Sequence, residues 1–213
     1  YAYTVDYDTH FRSPVDVKRA IAGYSGLVSS LDENIGHVLQ ALHASGFAEN
    51  TRVLYTSDHG DNLGARGLWG KSTLYEESAG VPVIMAGPDI PKGRVITTPV
   101  SHIDFAPTIL EAVGIELPAW IEGRALSAPP REYVLTENDF DIVASIPMRT
   151  ITTARYKLHR YLAAPFGELY DLVDDPGEIV NRYDDPAYAS TRSDLLALLD
   201  DVLTLRVVLV LHE

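Results

Sequence analysis

Asn50-Thr51-Arg52-Val53-Leu54-Tyr55-Thr56-Ser57-Asp58-His59-Gly60-Asp61 is the stretch whose reading decides the architecture. Residues 51–57 are β-branched or aromatic and are bounded by Glu49-Asn50 on one side and Asp58-His59-Gly60 on the other, which predicts a short strand. In open α/β sheets ligands collect at the carboxyl ends of strands, so Asp58 and His59 fall where a site would form. A carboxylate and an imidazole side by side, with Gly60 allowing a tight exit, suit one divalent cation approached from two directions. On spacing alone, an Asp capping a turn and a His ending a strand is the commoner reading of such a pair.

Working outward, Ser13-Pro14 and Asp16 read as an N-cap, a proline at the first helical position and an acid in the first turn. Ile21, Tyr24, Leu27, Val28, Leu31, Ile35, Val38, Leu39 and Leu42 then draw one apolar stripe that ends at Gly46, predicting a long helix that packs against something large. Helix followed by strand points to an α/β fold. A second strand is predicted over Val81–Gly87, before a turn rich in Pro and Gly, and a second helix over Asp104–Val113, with Ser101 or Asp104 near its start and Gly114 at its end. From about Glu132 the texture changes to short β-like pieces at 133–136, 148–152, 156–161 and 168–172, an antiparallel meander. Asp174-Asp175-Pro176-Gly177 reads as a turn and 194–203 as a closing helix, with no internal repeat or low-complexity segment.

The 213 residues carry 46% hydrophobic and 22% charged side chains, enough to build a packed core and too apolar for a disordered chain. The net charge of −13 excludes a generic binder of nucleic acid or anionic membrane, because carboxylates repel phosphate. Residues 168–201 hold ten acidic and two basic side chains, so any acidic face belongs toward the C-terminus. No apolar run exceeds that of Val207–Leu211, which falls far short of the roughly 20 residues a membrane-spanning helix needs. With no cysteine, disulfides, thiolate metal sites and a Cys nucleophile are all excluded from these residues. Tyr1–Asp8 has neither a basic nor an apolar region, so an intact secretory signal is not expected there.

Gly64-Ala65-Arg66-Gly67-Leu68-Trp69-Gly70-Lys71 follows the strand as a glycine-rich loop with two cations, placing Lys71 13 positions after Asp58. Such a loop brings backbone close to a bound anion, and Lys supplies a mobile ammonium to a tetrahedral oxyanion. A metal, a lysine and an anion together form a hydrolase arrangement. Here the sequence resembles the sulfatases, with the related phosphonate monoester hydrolases, of the alkaline phosphatase superfamily. The resemblance runs through Leu31–Gly36, Asn50–Asp61, Gly67–Lys71, Tyr75–Pro82 and Val100–Leu110. It continues in Arg155-Tyr156-Lys157, Glu168–Leu172 and Asp175–Asn181, all in the family's order.

That resemblance implies that Asp58 and His59 are metal ligands and that Lys71 contacts the sulfate or phosphonate group. The implied cation is calcium, with manganese as the alternative; an imidazole ligand leans toward a transition ion. Where many sulfatases carry Asn, this chain has His59, as in the choline-sulfatase and phosphonate-hydrolase branches. The family's remaining Asp ligands and its formylglycine nucleophile, made from Cys or Ser in a Cys/Ser-x-Pro-Ser-Arg motif, are absent from these residues. The chain is therefore expected to be the C-terminal part of a sulfatase, completed by a missing N-terminal half and inactive by itself.

Arg66 and Trp69 flank Lys71 and line a substrate pocket in one reading and pack the loop in the other. Asp61 serves either the metal's surroundings or the turn's own amides. His10 reads as a surface-loop residue; His102 and Asp104 read as structural. The expected fold is α/β: an alkaline-phosphatase-like sheet portion with covering helices over 1–130, then a small antiparallel β subdomain with a C-terminal helix over 131–213. The expected activity is metal-dependent hydrolysis of a small-molecule sulfate monoester, with phosphonate or phosphate ester hydrolysis, or a non-catalytic fragment or subunit, as alternatives. No nucleic acid and no membrane span are expected, homo-oligomers are admitted, and both cytoplasmic and periplasmic or secreted locations fit. An uncovered helix stripe and unpaired strand edges predict association when the chain is alone.

Overall fold

A computed structural model describes residues 13–139, 146–162 and 164–210, the last six of these by backbone only. His10 lies outside the described residues. The chain divides into two compact units, Tyr1–Val95 and Ile96–Glu213.

In the first unit, helix α1 spans Pro14–Ala44 and is capped as the sequence implies: the Ser13 side chain accepts from the Asp16 amide, and Pro14 opens the first turn. At the other end Gly46 takes a left-handed φ of 78°. The apolar stripe is present but uncovered; no residue of α1 is buried, and Leu27 and Val38 are 71% and 68% exposed. Strand β1, Val53–Thr56, pairs antiparallel with β2, Val83–Ala86, in the register Val53↔Ala86 through Thr56↔Val83. The carboxyl end of β1 thus sits beside the start of β2. The connection between them holds a glycine-rich loop and the one-turn helix α2, Glu76–Ala79.

The second unit begins with a 3-10 turn at His102–Asp104 that leads into helix α3, Phe105–Ala112. Ser101 and Asp104 form a capping box, which satisfies the amides at the helix start. Asp104 is buried, as its structural reading requires: it accepts from the amides of Ser101 and Arg124 and pairs with Arg131. Four strands follow in meander order: β3 (Tyr133–Asn138), β4 (Met148–Thr153), β5 (Tyr156–Tyr161) and β6 (Gly167–Asp171), each antiparallel to the next. Register places Ile151, Leu158 and Leu169 opposite one another on one face. Helix α4, Ala189–Val210, presents Leu195 and Leu199, one turn apart, to that row, and the five residues form the core of the unit.

The opposite face of the same sheet is polar yet buried. Lys157 ion-pairs with Glu178 from the turn after β6, and Thr150 Oγ1 lies 2.6 Å from His159 Nδ1. Among the described residues, no helix is long and apolar enough to cross a membrane.

Candidate active site

The site assembles at the exit of β1. Ser57 donates to the His59 carbonyl (2.9 Å), and the Asp58 Oδ1 accepts from the His59 amide at 2.9 Å, so the chain turns sharply as it leaves the strand. Gly60 follows because no larger residue fits. A Cβ there would collide with the Glu77 carbonyl oxygen and stand 3.0 Å from its carbon, while the Gly60 amide donates to the Ser78 carbonyl at 2.8 Å. The motif is thereby held against α2 by backbone contact.

The His59 ring has a defined orientation. Its Nδ1 lies 2.8 Å from the Gly60 carbonyl oxygen and its Nε2 lies 2.5 Å from Lys71 Nζ. A carbonyl only accepts and an ammonium only donates, so the ring proton belongs on Nδ1 and Nε2 presents its lone pair. Asp58 Oδ2 approaches that same Nε2 at 3.3 Å. The amide of His59 is the leading cause holding the Asp58 carboxyl below the usual carboxylate range. A carboxylate oxygen, an imidazole lone pair and an ammonium therefore meet at one point on the protein surface, where Asp58 remains exposed and His59 is half-buried.

The donor set fits two ligands of one cation. Among the described residues no third His, Asp or Glu joins them to complete a metal site.

Lys71 arrives from the loop, whose backbone takes left-handed φ values at Leu63 (46°), Arg66 (55°) and Ser72 (76°) as well as at Gly64, Gly67 and Gly70. Non-glycine residues enter this region only when surrounding structure over-determines them. Asp61 is part of that determination, its Oδ1 accepting from the amides of Leu63 at 2.7 Å and Gly70 at 3.2 Å. Of its two readings, these contacts are those of a carboxylate serving the turn's own amides.

Arg66 and Trp69 are committed to the packing of the loop. The Arg66 guanidinium donates to Glu77 at 2.7 Å and lies 4.1 Å from the centroid of the Tyr75 ring. Trp69 is 5% exposed, and its ring lies so close to Gly64 that a Cβ there would stand 3.1 Å from it. The structure thus brings Asp58, His59 and Lys71 together and ties Arg66 and Trp69 to the loop's interior. His102, in the second unit, is exposed, with its ring tilted against that of Phe105 at 5.2 Å between centroids.

Residues that the sequence reading passed over are Asn62, Thr73 and Glu77. Each is polar, and each spends its side chain on the loop: Asn62 on Gly70 and Thr73, and Glu77 on Arg66. Their sequence signal is weak, because a polar residue in a loop is ordinarily solvated.

The fold agrees with comparisons to known proteins. The chain matches the sulfatase family over residues 1–115 and the C-terminal region of N-sulphoglucosamine sulphohydrolase over residues 64–204. It is 33% identical to a choline-sulfatase of Rhizobium meliloti, over 92% of this chain and 39% of that protein. It is 32% identical to a Delta 4,5-hexuronate-2-O-sulfatase of Bacteroides thetaiotaomicron, over 86% of this chain and 41% of that one. Among solved structures, a 2-O GAG sulfatase superposes with a TM-score of 0.83 at 30% identity, covering 89% of this chain and 44% of the other. The phosphonate monoester hydrolase of Agrobacterium radiobacter gives 0.78 at 27% identity, covering 90% and 42%. The architecture is therefore that of the alkaline-phosphatase-like hydrolases. Within that class, the chain belongs to the sulfatase family. It spans about two fifths of the length of the curated relatives it matches.

Proposed function

We propose that this chain carries the cation- and oxyanion-binding part of a sulfuric ester hydrolase that acts on a small-molecule sulfate monoester. The observation that carries the reading is the meeting of Asp58 Oδ2, His59 Nε2 and Lys71 Nζ at one strand end. Asp58 and His59 would hold one divalent cation, calcium by family resemblance or manganese by the preference of an imidazole ligand. When bound, such an ion supplies Lewis-acid neutralisation of the ester oxygens and activation of a nucleophile.

The protein's own groups do the remainder. The Gly60 carbonyl favours the tautomer of His59 that carries its proton on Nδ1, which leaves Nε2 as the nitrogen to meet a cation. Lys71 donates to a sulfate oxygen and stabilises the charge that grows as the S–O bond breaks. The 213 residues contain no cysteine and no Ser-x-Pro-Ser-Arg, so in this reading a formylglycine nucleophile and further carboxylate ligands come from an N-terminal half outside this sequence.

A second reading within the same superfamily is phosphonate or phosphate ester hydrolysis. It is supported by the structural likeness to the Agrobacterium radiobacter enzyme. A tetrahedral phosphonate presents the same oxyanion chemistry to Lys71.

The test is calorimetric titration of calcium, then manganese, into the chain and into its Asp58→Ala/His59→Ala variant. A saturable event lost in the variant is expected. Equal binding by both proteins would refute the assignment of these two side chains as a cation-holding pair.

A further inference from the structure

We propose that Asn62 is a positioning residue for Lys71: its one buried side chain sets the reach of the lysine to the strand-end site. The inference rests on the assignment of Lys71 to that site under the proposed function, and it deepens it.

Asn62 is 1% exposed in a loop otherwise half-buried at best for most of its length. Its backbone amide donates to the Gly70 carbonyl at 2.7 Å, and its side-chain Nδ2 donates to the same oxygen at 2.9 Å. Its Oδ1 accepts from Thr73 Oγ1, also at 2.9 Å. A single side chain therefore grips the residue before Lys71 and the residue after Ser72. Lys71 and Ser72 are strung between those two anchors. The backbone there is left-handed, with φ of 76° at Gly70 and 76° at Ser72, a conformation that a serine keeps only where its surroundings hold it.

The grip lies three residues beyond His59 in the chain, so the same side chain relates the two ends of the site. A lysine has four rotatable bonds and enough reach to miss a target by several ångströms. What narrows that reach is the placement of its Cα. Asp61 supports the Gly70 anchor through its amide, and Thr73 is itself 9% exposed, which leaves the hydroxyl of Thr73 and the amide of Asn62 little alternative to one another. The Asn62 amide is suited to this work because it donates and accepts at once. An aspartate of the same shape would set a carboxylate against the Gly70 carbonyl oxygen, and an alanine would release Thr73 and leave Gly70 held only by the backbone amide of residue 62 and by Asp61.

The contact between Lys71 Nζ and His59 Nε2 provides a readout that loop stability alone does not move. In isotopically labelled chain, the nitrogen resonance of His59 Nε2 is recorded by long-range proton–nitrogen correlation. Lys71→Met defines its position without the ammonium, and thermal unfolding of each variant is followed in parallel.

Asn62→Ala is expected to move the His59 Nε2 resonance toward the Lys71→Met position, with the Nδ1 contact to the Gly60 carbonyl kept. Thr73→Val, which removes one anchor at nearly constant volume, is expected to move it part of the way, and Thr73→Ser to restore the wild-type position. If Asn62→Ala does not fold, the Thr73 pair decides the matter alone. A wild-type Nε2 resonance in folded Thr73→Val, or in folded Asn62→Ala, would overturn the inference. The proposed function fails separately, by cation binding that is unchanged in Asp58→Ala/His59→Ala, and that result leaves the resonance measurement standing.

Discussion

Gly60 offers the sharpest test of how the strand end is built. Replacing it with alanine places a methyl group against the Glu77 carbonyl, 3.0 Å from the carbonyl carbon and 3.4 Å from the Gly80 oxygen. Those are backbone atoms and have no rotamer through which to yield. Overpacking of this kind costs about 1–3 kcal/mol. Separation of the two segments also loses the 2.8 Å hydrogen bond from Gly60 to Ser78, worth about 1 kcal/mol. The expected destabilisation of this unit is therefore about 2–4 kcal/mol, which at a urea slope of about 2 kcal/mol/M lowers the midpoint by about 1–2 M.

The assay is urea unfolding by tryptophan fluorescence in a Trp120→Phe background, where the remaining tryptophan is the buried Trp69 of the adjoining loop. Gly36→Ala is the control. It lies in α1 with nothing within 4 Å of an added Cβ, so it should leave the Trp69 transition unmoved and add helix content, consistent with the preference of about 0.5–1 kcal/mol for Ala over Gly in a helix interior. If Gly60→Ala unfolds at the same urea concentration as Gly36→Ala, the close approach of the motif to α2 is not what holds the strand end.

Two further outcomes concern the second unit. Asp171 is 2% exposed and accepts from Arg155 Nη2 at 2.8 Å; this pairing is the leading cause holding its carboxyl below the ordinary range. Because the folded value is depressed, the stabilisation is full above the unfolded value of about 3.9 and is lost as pH falls through the folded one. Melting temperature against pH should therefore fall more steeply below about pH 4 in the wild type than in Asp171→Asn; parallel curves would contradict this. For the buried Lys157–Glu178 pair, Glu178→Gln should cost about 3–5 kcal/mol by stranding the ammonium, whereas Lys157→Met/Glu178→Leu should cost much less. Equal losses in thermal or denaturant unfolding would show that the pair's burial is not what makes it costly to break.

Local elements were legible in the sequence wherever the signal is local. The Ser13-Pro14 cap and the helix behind it, the strand at 53–56, the helix start near Ser101 or Asp104, and the four strands of the meander each follow from side chains within a few residues of one another. So does the candidate pair Asp58-His59, whose two members are adjacent in the chain. The contacts of Arg66 and Trp69 were not legible, because which way a loop side chain faces depends on residues such as Glu77, Tyr75 and Gly64 at the far side of a backbone that turns repeatedly through left-handed φ.

The sequence by itself determined which chemical groups this protein has to work with: a carboxylate and an imidazole at a strand end, a lysine in a glycine-rich loop, and no thiol. It did so because residue type and spacing along a strand or helix are properties of the chain. Tertiary structure alone decided that Lys71 Nζ reaches His59 Nε2 across 12 positions of sequence, that β1 pairs antiparallel with β2, and that a polar face of the meander is buried around Lys157 and His159. Each of these depends on long-range closure, in which distant backbone groups must satisfy one another's hydrogen bonds, and a periodicity read along the chain carries no record of the partner.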